Sequence, residues 1–160
     1  MSGTLFTDVM VFDGSGDALF PGEVLVRGER IEAVARGDER LPREGAAIVE
    51  GSGRALMPGM VEAHGHLTWP TSIERVINTM KPLPIEQHTL VTAQNARITL
   101  DAGFTSVYSA GSLGERIEPA LRDMIDAGFL PGPRLRASAL EKGAEGVLGV
   151  PAGHDPTHQR

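Results

Sequence analysis

The change of pattern at Pro58-Gly59 constrains the fold of this chain more than any other feature. Before that turn, β-rich segments such as 23–27 and 30–35 alternate polar with apolar residues, which predicts a small antiparallel sheet with one buried face. After it, strand-like segments alternate with two helix-like segments, at 86–102 and after Gly114. Strand, helix, strand, helix, strand over about 80 residues predicts βαβ units on a parallel sheet, so the fold class is α/β.

Both predicted helices have apolar residues at helical spacing. The spacing of the first helix rests on Leu90, Val91, Gln94 and Ile98. The apolar stripe of the second helix consists of Ile117, Leu121, Met124 and Ile125. Gly103 ends the first helix, and a third strand is predicted over 134–140. Such stripes are typical of helices that pack against a sheet.

The length of the chain raises a difficulty for this second part. A closed (β/α)8 barrel takes roughly 250 residues, whereas only about 100 of the 160 follow Gly59, enough for about two and a half βα units. A parallel sheet that stops there would expose an edge and the apolar faces of Met60, Val61, Val107 and Leu135. Either the sheet is small and open or other polypeptide completes it. We therefore expect that the chain alone is not a stable monomer.

Composition and charge exclude several classes of function. The net charge of −6 and a pI near 5.3 argue against nucleic-acid binding, which needs a basic face. The absence of cysteine removes disulfides, thiolate metal ligands and cysteine nucleophiles. No apolar run approaches the roughly 20 residues of a membrane span, and the N-terminus does not read as a secretory signal. We expect a cytoplasmic protein with neither a nucleic-acid nor a membrane partner.

His64-Gly65-His66 is the sharpest chemical signal in the chain. On a strand, the two histidines face the same side, about 6.6 Å apart, and can converge on one metal ion at roughly 2.0–2.1 Å. The motif falls at the C-terminal end of the first apolar strand after Pro58-Gly59, where sites sit in α/β folds. Two polar histidines in a loop are the alternative interpretation.

Four segments resemble the metal-dependent amidohydrolase superfamily, most closely its prolidase-like and imidazolonepropionase-like branch. They are DVMVFDGSGDALFPGEVLVRGERIEAVARG at 8–37, ALMPGMVEAHGHL at 55–67, DAGFTSVYSAG at 101–111 and GPRLRASA at 132–139. The resemblance is to the N-terminal part of that family. It implies a β-sandwich portion over 1–58, then the first βαβαβ units of a TIM-like (β/α)8 barrel over 59–140, incomplete in this chain. Residues 141–160 are predicted to form a Gly/Pro-rich loop or tail.

The resemblance implies an enzyme, namely a metal-dependent hydrolase of an amide or cyclic amide C–N bond. His64 and His66 would hold a divalent metal, zinc as one or two ions, with manganese or iron as alternatives. The family's bridging Lys or Glu, two further His ligands and catalytic Asp come from later strands, so no catalytic residue is assigned here. Lys81 and Lys142 do not match the bridging position. Glu62 stands where the family usually has Asp.

The remaining strands 4–8 of the barrel would come from a complementary chain, or a homo-oligomer would form. The completed enzyme would act on a small-molecule substrate. Two other interpretations stay open. The chain could be a non-catalytic remnant that binds metal or serves as a scaffold, or it could be a fragment of a longer enzyme.

Three residues are candidates for contact with the substrate. Trp69 lies in the first βα loop, Tyr108 at the end of the second strand, and His154 in a Gly-His stretch that some members of this branch have after strand 3. The alternatives are a packing role for Trp69 and a solvated tail for His154. His88, in the first turns of a helix, is predicted to be a satisfied or surface histidine and not a ligand.

Overall fold

The computed structural model describes residues 3–69 and 83–140, which form two units, Met1–Pro58 and Gly59–Arg160. The first unit contains a five-stranded sheet and the second a three-stranded sheet. Within the described ranges, no helix is long and apolar enough to cross a membrane. The predicted tail at 141–160 lies outside the described residues, as do His154, Lys81 and Lys142.

The five strands of the first unit form a mixed sheet. They are β1 (Gly3–Val11), β2 (Phe20–Arg27), β3 (Arg30–Arg36), β4 (Ala46–Glu50) and β5 (Ala55–Leu56). The sheet order is β3-β2-β1-β4, with β5 also paired to β1. The β1–β2 and β2–β3 pairs are antiparallel, whereas β4 and β5 run parallel to β1. The prediction of an antiparallel sheet is wrong at these two pairs, because the segment after β3 crosses to the far edge of β1.

This sheet buries side chains on both faces, whereas alternation predicted one buried face. Val24 and Leu25 are consecutive in β2, so they point to opposite faces, and both are buried. Val24 packs with Val9 and Val11 on one of these faces. Ile31 in β3, predicted to be buried, is exposed. Alternation thus identified the strands correctly, but it does not show which parts of the chain cover each face.

The second unit alternates strands and helices as the sequence predicted. Its elements are β6 (Met60–Gly65), α1 (Ile85–Asp101), β7 (Phe104–Ser109), α2 (Ile117–Asp126) and β8 (Arg134–Arg136). The strands are parallel, in the order β6-β7-β8. Gly103 follows α1 with a φ of 94°, the left-handed conformation that ends many helices. Strand β8 is shorter than predicted, and an isolated bridge joins Ser112 to Leu140 beyond it.

The core of the second unit lies between the sheet and the two helices. Its buried members are Leu67, Ala96, Val107, Leu121 and Leu135. Val107 and Leu135 are therefore covered by the unit's own helices, which corrects the expectation that they would be exposed. Val61, on the edge strand β6, is 55% exposed, as expected for an open sheet edge. On α2, Ile117 is buried as predicted, whereas Met124 is exposed.

Helix α1 turns a different face inward from the one expected. Leu90 and Ile98, which set its apolar spacing, are 72% and 49% exposed. The buried residues are Thr92, Asn95 and Ala96. A helix that buries polar side chains and exposes leucine needs specific hydrogen bonds to offset the loss of apolar contact. Those hydrogen bonds lie at the candidate site.

Candidate metal centre

His64 and His66 lie at the C-terminal end of β6, His64 inside the strand and His66 immediately after it. Their ring centroids are 5.2 Å apart and the ring planes make an angle of 76°. His64 is exposed and His66 is half-buried. Cavities of about 380 Å³ and about 440 Å³ border both histidines. The two imidazoles are therefore adjacent, and both line the two cavities.

His66 is oriented by the backbone of the loop after β7. Its Nδ1 lies 3.2 Å from the carbonyl oxygen of Gly111. Because a carbonyl oxygen only accepts, Nδ1 carries the proton in this contact, and in a neutral ring the lone pair then lies on Nε2. Metal-binding histidines usually have this arrangement, in which one ring nitrogen donates to a carbonyl and the other binds the metal. The imidazole pair fits a zinc-type metal in donor chemistry, and the contact with Gly111 orients the His66 ring.

Glu62 supports the strand backbone. Its Oε1 accepts a hydrogen bond from the backbone N–H of His64 at 3.0 Å. Gly65 leaves room for this arrangement, since a Cβ there would lie 3.1 Å from Cγ of Glu62 and 2.9 Å from Cγ1 of Val107. Glu62 thus fixes the peptide that joins Ala63 to His64.

The described residues place no third metal-binding side chain beside His64 and His66. Within 3–69 and 83–140, no three His, Asp or Glu side chains gather closely enough to hold an ion together. Catalytic zinc usually has three protein ligands. If His64 and His66 bind a metal, any further protein ligand would come from outside the described residues.

Trp69 lies against the histidine pair. Its ring centroid is 4.7 Å from that of His66, with the planes tilted by 33°. It lines the cavity of about 380 Å³ together with both histidines. The structure therefore brings Trp69 to the site, and its contact with a substrate stays a prediction.

Of the other two predicted substrate residues, the structure describes only Tyr108, which does not lie at the cavities beside the histidines. Tyr108 is exposed, and its ring lies 5.8 Å from the guanidinium carbon of Arg136, within the range of a cation–π contact. It is not among the described residues that line either cavity at the histidine pair. His154 lies outside the described residues.

Side chains of α1 hold the turn that follows β6. Nδ2 of Asn95 donates to the carbonyl oxygens of Leu67 and Trp69, both at 2.8 Å. Nε2 of His88 lies 2.6 Å from the carbonyl oxygen of Thr68. The prediction that His88 is a satisfied histidine is confirmed by this contact. Sequence reasoning missed Asn95, because one Asn in a helix has no distinguishing pattern.

Glu118, in the first turn of α2, is a second residue that sequence reasoning missed. Its side chain is fully buried, and Oε2 accepts a hydrogen bond from the backbone N–H of Ser138 at 3.0 Å. In the described part of the chain, Oε1 has no hydrogen-bond partner. Burial raises the pKa of Glu118, while the Ser109 hydroxyl, the Ser138 amide and the His66 ring oppose that rise. A glutamate in a first helical turn normally indicates a surface residue, so the pattern contains no signal of its burial.

Comparison with known proteins agrees with the sequence motifs. No family model matches the chain. A dihydroorotase from Streptomyces coelicolor is 29% identical over 140 residues, which cover 75% of this chain and 30% of the dihydroorotase. The solved structure of an amidohydrolase matches with a TM-score of 0.71 and 25% identity, covering 87% of this chain and 32% of its own. The resemblance to amidohydrolases is confirmed.

Two further solved structures extend this amidohydrolase likeness. A structure described as a prolidase from Bifidobacterium longum has a TM-score of 0.67 and 27% identity, over 87% of this chain and 30% of its own. Phenylurea hydrolase B has a TM-score of 0.68 and 28% identity, and the match covers 87% of this chain and 31% of the hydrolase. The matched region is the N-terminal part of the amidohydrolases. The amidohydrolase-like chain thus spans about a third of the length of the proteins it matches.

Proposed function

We propose that this chain supplies part of the active site of a metal-dependent hydrolase that cleaves an amide, cyclic amide or related C–N bond. The proposal rests on the pair His64 and His66, with rings 5.2 Å apart at a strand end and with Nδ1 of His66 bonded to a carbonyl. Similarity to an amidohydrolase, a prolidase and a phenylurea hydrolase over 87% of the chain supports the hydrolase class.

The three parallel strands β6, β7 and β8 are proposed to be the first three strands of a TIM-like (β/α)8 barrel. Two observations support this: the strand–helix alternation and the exposed edge strand β6. Strands 4–8 would come from a complementary chain, from a further part of the same polypeptide or from assembly with a second copy. The first unit would be part of the family's β-sandwich.

Zinc is the proposed metal, as one or two ions, with manganese or iron as alternatives. When bound, such a metal lowers the pKa of a coordinated water towards 7 and polarises the carbonyl of the substrate. His66 would bind through Nε2, since Nδ1 donates to Gly111. His64 would bind from the exposed side of the strand, on a peptide fixed by Glu62. The general base and the other ligands would lie outside the described residues.

Trp69 is proposed to form a wall of the pocket for a small-molecule substrate, because it lines the same cavity as both histidines. Trp69→Ala should raise KM several-fold, or lower kcat/KM, and leave the metal content unchanged, since an apolar wall affects binding more than ligation. Phe129→Ala, which truncates an exposed aromatic after α2, is the matched control. Equal effects from both changes would contradict this role. Tyr108 and His154 are also proposed to contact the substrate.

The test of the function is purification under native conditions, followed by mass spectrometry of co-purifying chains and elemental analysis. A panel of amides, cyclic amides and ureas would then be assayed with and without a chelator. We expect bound metal and chelator-sensitive hydrolysis in the assembly, and no turnover by the 160-residue chain alone. An assembly that binds metal but hydrolyses none of these substrates would favour the metal-binding or scaffold interpretation. Turnover by the chain alone would contradict the shared barrel.

A further inference from the structure

Asn95 is a buried polar residue on a helix face that would be expected to be apolar. Leu90 and Ile98 are exposed, so the larger apolar residues of α1 do not lie on the face that Asn95 shares with the buried Ala96. A buried amide without hydrogen bonds is costly, so its bonds must account for the orientation of the helix. Both amide hydrogens of Asn95 are used, because Nδ2 donates to two backbone carbonyls, those of Leu67 and Trp69.

These bonds act on three successive carbonyl groups. The carbonyls of Leu67 and Trp69 bond to Asn95, and the carbonyl of Thr68 between them contacts His88. His88 and Asn95 are seven residues apart, so they lie on one face of the helix, two turns from each other. Helix α1 therefore fixes the whole backbone of the turn, and a single main-chain conformation satisfies all three contacts.

The same turn is fixed from its other side by the loop after β7. Oγ1 of Thr68 accepts a hydrogen bond from the backbone N–H of Leu113 at 2.9 Å. The ring of His66 contacts the carbonyl of Gly111 in that loop. The turn thus lies between α1 and the loop, with His66 at its start and Trp69 at its end.

The geometry points to Asn95 as a positioning residue: we propose that its two hydrogen bonds set the relative placement of His66 and Trp69, and hence metal affinity and substrate binding. The part of this inference that concerns metal and substrate rests on the proposed function. The backbone of the turn joins the two rings, whose centroids are 4.7 Å apart. To bond both carbonyls in this way, a side chain needs two N–H donors on one atom and the length of asparagine. An aspartate of the same shape offers acceptors to them instead.

Trp69 supplies the readout, because it is the only tryptophan in the chain. Asn95→Asp and Asn95→Ser are the test variants: the first removes both donors without changing shape, and the second keeps one donor. Thr92→Val is the matched control, since Thr92 is buried on the same face and its hydroxyl donates to the carbonyl of His88 within the helix. If Asn95→Asp does not fold, Asn95→Ser still tests the proposal.

In the metal-free protein, the Asn95 variants should increase quenching of Trp69 fluorescence by acrylamide, with unchanged far-UV circular dichroism. Zinc affinity should fall about tenfold or more in Asn95→Asp, and less in Asn95→Ser. Thr92→Val should lower thermal stability without changing either readout. The inference is overturned if Thr92→Val matches the Asn95 variants, or if the Asn95 variants leave both the quenching and the zinc affinity unchanged. A wild-type assembly that binds no zinc would contradict the proposed function, while the quenching would still decide the role of Asn95.

Discussion

Among the described residues, each of the two units buries one glutamate, and the surroundings shift the pKa values of the two carboxyl groups in opposite directions. In the first unit, Glu23 meets Nη2 of Arg43 at 2.7 Å and the backbone N–H of Leu41 at 2.9 Å. Burial acts to raise the pKa of Glu23, but these two partners outweigh it and hold the pKa below its ordinary value. In the second unit, burial prevails and the pKa of Glu118 is raised.

This difference separates a structural ion pair from a carboxyl group at a candidate site. Glu23 bonds to the segment after β3, at Leu41 and Arg43, and thereby fixes that segment on β2. Glu118 bonds to the backbone after β8, and its pKa responds to the ring of His66. A buried acid whose pKa is raised by desolvation is typical of functional sites, whereas a fully paired one is typical of structural networks.

The largest expected effect is the loss of zinc affinity when either histidine of the pair is replaced. It tests whether zinc binding depends on the second unit and not on the first. His66→Ala and His64→Ala should each lower zinc affinity by at least about 100-fold, because a lost ligand removes both a bond and its geometry. Isothermal titration and elemental analysis of the purified protein measure this. Arg43→Ala, in the first unit, should leave zinc affinity unchanged. Full metal occupancy in the double histidine variant would rule out the assigned ligands.

A smaller effect is expected from the ion pair of the first unit. Arg43→Ala should lower the free energy of unfolding by about 1–2 kcal/mol. The loss is below that of a fully buried pair because Arg43 is 43% exposed and Glu23 keeps its bond to Leu41. Urea denaturation measures the change. Arg97→Ala, which removes an exposed pair with Asp101, is the comparison and should cost about 0.3–0.5 kcal/mol. Equal losses would mean that burial of Glu23 adds nothing.

Much of the fold followed from sequence patterns that depend on local structure. The strand–helix alternation after Pro58-Gly59 and the end of α1 at Gly103 are read from neighbouring residues. The direction of β4 and β5 could not be read in this way, because it depends on where a connecting segment crosses the sheet. The burial of both Val24 and Leu25 likewise depends on what covers each face.

At the candidate site too, the sequence predicted the features that depend on local spacing and missed those that depend on distant partners. A strand spacing of two residues predicted that His64 and His66 would be neighbours, and their rings are 5.2 Å apart. The inward face of α1 was predicted wrongly, because the hydrogen bonds of Asn95 to a distant turn outweigh the burial of apolar residues. The burial of Glu118 also depends on partners from other elements. Polar residues whose partners are distant in sequence have no periodicity that could reveal them.

The smallest expected effect concerns pH, and it sharpens the contrast between the two glutamates. The pKa of Glu118 is raised from its ordinary value of 4.5, so the folded protein binds the proton more tightly than the unfolded chain does. Its contribution to stability is therefore present below pH 4.5 and is lost as the pH rises through the raised pKa. For Glu23, whose pKa is lowered, the contribution is present above its ordinary pKa and is lost as the pH falls through the lowered value.

Glu118→Gln should remove the pH dependence of stability that Glu118 causes, because the amide stays neutral. The amide also keeps an acceptor for the N–H of Ser138. Urea denaturation of the metal-free protein between pH 4 and pH 8 measures it. We expect the glutamine variant to gain stability relative to the wild type as the pH rises above about 4.5. His66 is present in both proteins, so the difference between the two curves reports the carboxyl group together with its interaction with His66. Glu23→Gln should change the curve only at its acid end. Parallel curves for Glu118→Gln and the wild type would show that Glu118 titrates like an exposed glutamate, and the contrast between the two units would be lost.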